Sequence, residues 1–292
     1  MEKPDHIPVL LDEVIDILNP TSNKIYVDAT FGAGGYTKAI LEKASCKVIG
    51  IDCDQNTKPY AENLKNNFPE RFSYINDNFT EIDNILKKLN ILKIDGMVFD
   101  LGVSSMQLDN KDRGFSFSGD GPLDMRMDNS LSTTATNLIN TLYEEELANL
   151  IYELGGERKS RIIAKNIVQF RQKEKIKTTS ELVEAIGIKR YSDKLHFATK
   201  TFQALRIAVN NELENIKLVL NKLSSLLAPG GIICTVSFHS LEDKIVKDFF
   251  KTLSSEENFE KINKKVITPL YKEIRKNPRA RSSKLRALRR II

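Results

Sequence analysis

The chain has 292 residues, enough to bury a large core in one or two domains. Its composition is 41% hydrophobic and 28% charged, with no low-complexity tract and no repeat, which excludes a disordered, fibrous or solenoid chain. The net charge of +5 is unevenly placed: residues 261–292 hold 12 lysines and arginines against one acid, Glu273, whereas residues 1–260 hold 32 basic against 38 acidic residues. That concentration points to a polyanionic partner. Met1 to Asp5 lead into no apolar run, so no signal peptide is expected. The longest stretch without a charged residue, Leu223 to Leu241, carries Pro229-Gly230-Gly231 at its centre and reads as a helix end, a turn and a strand rather than a membrane span. Cys46, Cys53 and Cys234 form no disulfide or metal pattern, which fits a reducing cytoplasm.

In chain order, apolar residues from Val9 to Leu18 predict an amphipathic helix that stops before Asn19-Pro20. Strands are expected at 25–28, 47–52, 72–77 and 96–101, separated by helical stretches such as Ile82 to Leu92. Alternating strand and helix argues an α/β fold with a doubly wound parallel sheet. The next convincing strand, Gly231 to Phe238, begins 130 residues after Leu101. A strand-helix-strand unit needs only about 30 residues, so about 100 are inserted after the fourth strand, at the end of the sheet where ligands bind. The insert reads as a long Gly-, Asp- and Arg-rich loop over 109–129, then helices near 144–154 and 158–172. One long helix over 199–227 brings the chain back, with Phe202, Leu205, Val209, Leu213, Ile216, Leu220, Leu223 and Leu227 as a core-facing stripe. Val266 to Tyr271 and Leu285 to Ile291 read as strands with a basic face.

The loop after the first strand carries the first chemical signal. Asp28-Ala29-Thr30-Phe31-Gly32-Ala33-Gly34-Gly35-Tyr36 places an acid before closely spaced glycines, and Asp52 ends the second strand 24 residues later. An acid at that strand tip is placed to accept hydrogen bonds from ribose hydroxyls. Thr37 stands where a dinucleotide loop wants its last glycine, and no lysine follows Gly35 as a P-loop requires. The remaining pattern, acid-x-x-x-Gly-x-Gly, resembles the first motif of S-adenosylmethionine-dependent methyltransferases.

Longer motifs sharpen this: Asp100-Leu101-Gly102-Val103-Ser104-Ser105-Met106-Gln107-Leu108-Asp109, Arg113-Gly114-Phe115-Ser116-Phe117, Gly121-Pro122-Leu123-Asp124-Met125-Arg126-Met127, Thr201-Phe202-Gln203-Ala204-Leu205-Arg206, Ser237-Phe238-His239-Ser240-Leu241-Glu242-Asp243 and Asn277-Pro278-Arg279-Ala280-Arg281-Ser282-Ser283. With His6-Ile7-Pro8-Val9-Leu10-Leu11, the chain closely resembles the bacterial ribosomal RNA small-subunit methyltransferase H family along nearly its whole length. The resemblance implies a Rossmann-like S-adenosylmethionine-dependent methyltransferase sheet with an inserted helical substrate-recognition domain. Residues 1–108 and 199–292 would form the methyltransferase domain and 109–198 the insert. It implies methylation of the N4 amine of one cytidine in the decoding region of small-subunit (16S) ribosomal RNA, within the assembled small subunit, in the cytoplasm and away from any membrane.

The resemblance places the cofactor on Gly34, Gly35, Tyr36, Asp52, Phe79, Asp100 and Gln107; many members carry His where this chain has Tyr36. Phe79 either packs on adenine or is an ordinary core residue. Asp100 either favours the cofactor's positive charge or caps the following turn. It is the candidate catalytic residue, and no general base is assigned. His239 is either a substrate contact or hydrogen-bonded to structure. Phe115 and Phe117, beside Arg113, either stack on a flipped cytosine or pin their loop. Asp124 and Arg126 either read the base or pair with each other. Arg279, Arg281, Lys284 and Arg286 would hold phosphates. His6 and His196 lack ligand spacing, so no catalytic metal is expected. The same residues also suit a same-fold methyltransferase with another substrate, or a non-catalytic ribosome-assembly factor.

Overall fold

The computed structural model describes residues 8–187 and 196–292, so His6 lies outside the described residues. The chain divides into two compact units: Met1–Gly102 with Leu213–Ile292, and Val103–Glu212. The expected first division at 108/109 lies six residues beyond Gly102/Val103, and the expected second at 198/199 lies before Glu212/Leu213 because the returning segment is shared between the units.

The first unit begins with α1 (Leu11–Leu18), β1 (Ile25–Asp28), α2 (Gly35–Lys43), β2 (Lys47–Asp52), α3 (Lys58–Asn67), β3 (Phe72–Asn76), α4 (Ile82–Lys88) and β4 (Ile94–Asp100). The second holds α5 (Ser105–Asp109), α6 (Ala135–Thr141), α7 (Glu144–Gly155), α8 (Ser160–Arg171), α9 (Thr179–Ile186) and α10 (Thr199–Asn210). The chain then runs through α11 (Glu212–Leu226), β5 (Leu227–Ser237), α12 (Ser240–Leu253), β6 (Phe259–Lys261), α13 (Tyr271–Lys276) and β7 (Lys284–Arg290).

The seven strands of the described residues form one sheet in the order β3-β2-β1-β4-β5-β7-β6. β1 to β5 are mutually parallel, while β7 runs antiparallel to both β5 and β6, so the sheet is mixed. Between their charged ends the central strands are mostly apolar because both faces are covered. Tyr26, Val48 and Val98 join a core with Leu18, Ile40 and Leu64 of α1, α2 and α3. Their neighbours Val27, Ile49 and Met97 point the other way and join Leu86, Leu220 and Phe250 of α4, α11 and α12. Between β4 and β5 the pairing steps from Ile94↔Leu227 to Gly96↔Ile232, so residues 228–231 loop out around Gly230 at φ 79°.

The segment 199–227 is two helices rather than one. Asn211 stands between them in the left-handed region at φ 50°. Asn tolerates that conformation better than most residues with a Cβ. The break divides the apolar stripe between two cores: Phe202, Leu205 and Val209 pack in the inserted unit, and Ile216, Leu220, Leu223 and Leu227 in the sheet unit. The spacing continues across the break, so periodicity alone does not reveal it.

The strand expected over 266–271 is also absent. Ile267 makes one isolated bridge to Leu285, and Tyr271 already begins α13. Pro269 has no N–H to give a ladder. Beyond the end of β6, the Asn263 side chain bonds the backbone of β7: its Nδ2 donates to Leu285 O at 2.9 Å and its Oδ1 accepts from Ala287 N at 2.7 Å.

Asn211→Gly is expected to keep full stability, whereas Asn211→Val should cost about 1 kcal/mol through left-handed strain. Equilibrium urea unfolding of the two variants measures this; equal midpoints would show that the break carries no backbone strain.

Candidate active site

In the strand order, the chain moves outward from β1 to β3 and then returns to β4 beside β1. The carboxyl ends of β1 and β4 therefore flank a topological switch point, the place where open α/β sheets bind ligands. Both strands end on an acid, Asp28 and Asp100, and β2 next door ends on Asp52.

Asp28 is fully buried. Its Oδ2 accepts from Thr37 Oγ1 at 2.7 Å and from Thr37 N at 3.2 Å, which ties the strand tip to the first turn of α2. Its Oδ1 is buried and accepts no hydrogen bond from the described residues, and the same holds for Oδ1 of Asp100. Burial raises the Asp28 carboxyl to a pKa of about 6, with hydrogen bonds from Thr37 and Thr30 partly offsetting it. Burial also pushes Asp100 well above the carboxylate range, and the charges of Asp28 and Glu242 add to this. Two buried carboxylate oxygens without donors form a site that wants a cation or a proton.

Asp52 organises the glycine loop. Its Oδ2 accepts from Gly32 N at 2.7 Å and its Oδ1 from Asp54 N at 2.8 Å. A carboxylate can accept about four hydrogen bonds, so lone pairs remain for two hydroxyls. Burial raises its pKa to about 7 against the pull of those two N–H groups.

The glycines themselves answer to packing within the loop. A Cβ on Gly34, which sits at φ 78°, would stand 2.7 Å from the Phe31 ring, and one on Gly35 would stand 2.2 Å from the Pro8 ring. Phe31 in turn packs against Phe72 and Tyr74, with ring centroids 5.4 and 5.3 Å away. Tyr36 is 3% exposed and its hydroxyl donates to the Val9 carbonyl, so the side chain braces the N-terminal segment and leaves only backbone for a ligand. Phe79 begins a short 3-10 turn after β3; its half-buried ring meets Phe99 edge-on at 5.7 Å.

At the end of β5, His239 caps α12. Glu242, fully buried, accepts from Phe238 N at 2.8 Å and from His239 N at 3.2 Å, and its Oε1 lies 3.1 Å from His239 Nε2. His239 thus caps the helix, and Glu242, not among the residues expected at the site, builds this corner of it. The signal was there: a capping residue followed three positions later by Glu. The unpaired Oδ1 of Asp28 was likewise not anticipated, although its place before the glycines could have suggested it.

Most of the other expected residues have partners of their own. In the inserted unit, Gln107 closes a capping box, its Oε1 accepting from Ser104 N at 3.0 Å. Arg113 donates to the carbonyls of Arg126 and Met127 at 2.8 and 3.1 Å and lies over the Phe115 ring. Phe115 is 6% exposed within a core, so its face is not open to a base, and Phe117 stacks on His196 with centroids 4.4 Å apart. Asp124 and Arg126 pair with each other at 2.7 and 2.8 Å. Burial raises the Asp124 pKa, but these bonds more than offset it and leave the carboxyl below its usual range. Back in the sheet unit, Lys284 and Arg286 are ion-paired to Asp243 at 2.9 and 2.7 Å, so their charge is partly neutralised within the fold. Arg279 and Arg281 are exposed on a 3-10 turn. Lys247, Lys251, Lys261, Lys264 and Arg286 line a small basic concavity between α12 and the β6–β7 edge. Among the described residues, no helix is long and apolar enough to cross a membrane.

Sequence comparison decides the family. The model of the MraW methylase family matches residues 3–291. The chain belongs to this methylase family. It is 52% identical over 296 residues to a protein of Ehrlichia canis (strain Jake) named ribosomal RNA small subunit methyltransferase H, covering 98% of this chain and 100% of that one. A protein of the same name from Wolbachia sp. subsp. Drosophila simulans (strain wRi) is 51% identical, with 98% and 99% covered. A crystal structure from Clostridium thermocellum shares the fold at a TM-score of 0.50 and 15% identity, covering 98% of this chain and all of that one. The cofactor of a methylase with this Rossmann-like sheet is S-adenosylmethionine. The residues present fit it, since a cationic ligand answers the donorless oxygens of Asp28 and Asp100, and a ribose answers the open lone pairs of Asp52.

Because the acids are held partly protonated without ligand, binding a cation should release protons. With pKa values of about 6 and 7 for Asp28 and Asp52, the ionised, binding-competent form is lost as pH falls through that window. Affinity for S-adenosylmethionine is therefore expected to weaken roughly tenfold between pH 8 and pH 6. Calorimetry across that range tests it, and a flat profile would remove the acids from the binding equilibrium. Asp52→Asn keeps an acceptor for Gly32 N–H yet should weaken binding about tenfold and flatten most of the pH dependence; unchanged affinity would place the ribose elsewhere.

Proposed function

We propose that this methylase transfers a methyl group to the N4 amine of a cytidine in the decoding region of small-subunit ribosomal RNA. The observation that carries the reading is the full-length match to the ribosomal RNA small subunit methyltransferase H relatives, joined to an acid-lined switch point. When bound, S-adenosylmethionine supplies an electrophilic methyl group on a positively charged sulfur. Asp52 would hold the ribose, Phe79 the adenine, and Asp28 with Asp100 the cationic end. Gly34 and Gly35 offer backbone to the same ligand.

A cytosine N4 lone pair is delocalised into its ring and is a poor nucleophile. Positioning that amine and stabilising the charge around it would therefore account for most of the rate. N4 carries a surplus proton once methylated, and Asp100 Oδ1 is the acceptor this reading assigns. Its raised pKa gives it the basicity, and among the described residues no donor occupies the atom. Gln107 would add a further cofactor contact, and the inserted unit would recognise the RNA within an assembled small subunit in the cytoplasm. The exposed cations of the C-terminal segment would meet phosphates, giving a salt slope of about −0.7 per contact on single strands.

The test is incubation with methyl-labelled cofactor and small ribosomal subunits, followed by nucleoside digestion. Label is expected in N4-methylcytidine; label confined to protein, or to another nucleoside, would reject the reading. Asp100→Asn should lower the turnover rate by at least about 10²-fold.

A further inference from the structure

At the start of α13 two large apolar side chains stand in solvent. Leu270 is 70% exposed and Tyr271 76% exposed. Lys272, Arg275, Lys276, Arg279 and Arg281 follow within ten residues of Tyr271, and all are exposed. The one acid among them, Glu273, is engaged elsewhere: its Oε1 accepts a hydrogen bond from Leu10 N at 2.7 Å.

That bond fixes where the aromatic stands. Leu10, at φ 55°, follows Val9, whose carbonyl accepts from the Tyr36 hydroxyl, and Pro8, whose ring fills the place of a side chain at Gly35. Residues 8–10 therefore bridge the glycine loop of the cofactor site to α13. Tyr271 rides on an element anchored beside that loop, not on a loose tail.

An exposed aromatic set among cations is what an unpaired nucleotide needs: a flat face for the base and positive charge for the flanking phosphates. The apolar area is too small and too interrupted by charge for a protein interface core, which is depleted in lysine. We infer that Tyr271 is a stacking platform for an unpaired base of the RNA substrate next to the modified nucleotide, with Lys272, Lys276 and Arg281 on adjacent phosphates. This rests on the RNA-methylation reading above.

The test uses the full-length chain, a twelve-nucleotide single-stranded RNA containing cytidine, and assembled small subunits. Tyr271→Ala should weaken oligonucleotide binding about tenfold to a hundredfold without changing the salt slope, and Tyr271→Trp should restore it. The double variant Lys272→Ala with Lys276→Ala should instead reduce the salt slope by about 0.7 per lysine. Affinity for S-adenosylmethionine, measured in parallel, should be unchanged in every variant, which shows that the fold is intact. If the wild type binds and methylates RNA and Tyr271→Ala does so equally, the platform is refuted while the RNA reading stands. If the wild type neither binds nor methylates RNA, both fall. If Tyr271→Ala binds the oligonucleotide normally and loses activity only on assembled subunits, the partner is a ribosomal protein and the platform is again refuted.

Discussion

The cost of burying acids without donors organises the sheet unit. Asp28 and Asp100 end neighbouring strands, and each leaves an oxygen that no described residue satisfies. A structure tolerates such groups where something else completes them, here a proton or a cationic ligand. Everything nearby holds those oxygens in place. Thr37 pins Asp28, Thr30 Oγ1 takes the backbone N–H of Asp100 at 2.7 Å, and Asp52 braces the intervening loop through Gly32. Such a site loses stability to gain selectivity for positive charge.

The connection between the two units shows a second economy. One apolar stripe, continuous in sequence, serves two cores because a single residue turns left-handed between them. The inserted loop relies on the same stretch of chain. Asn210, next to the break, donates to Met125 O at 2.8 Å and accepts from Met127 N at 2.7 Å. A loop rich in Gly, Asp and Arg is thus ordered by a buried amide, by the Asp124–Arg126 pair and by Arg113 on backbone carbonyls. The charges in it that look free in sequence build the loop itself.

The basic end divides in the same way. Lys284 and Arg286 lie on a strand that pairs antiparallel at the edge of a parallel sheet, and they neutralise Asp243 of α12. Their charge secures β7 to the helix above it. The cations of α13 and of the turn that follows stay at the surface, tied to the N-terminal segment through Glu273.

The sequence by itself determined the strands β1 to β4, the acid-glycine loop, the tip acid Asp52 and the insertion after β4, because these follow from local periodicity, from glycine chemistry and from the length of chain between strands. Its long motifs also pointed to the family, which comparison over residues 3–291 established. The tertiary structure alone decided which polar groups are satisfied. Tyr36 turned inward to Val9, His239 became a helix cap, Phe115 entered a core, and Asp28 kept an open oxygen. It also decided the break at Asn211 and left the stretch 266–271 without a strand. The physical reason is the same throughout: a residue's type and spacing specify what it can bond, whereas the partner that takes up that capacity comes from elsewhere in the chain and is chosen only when the fold closes.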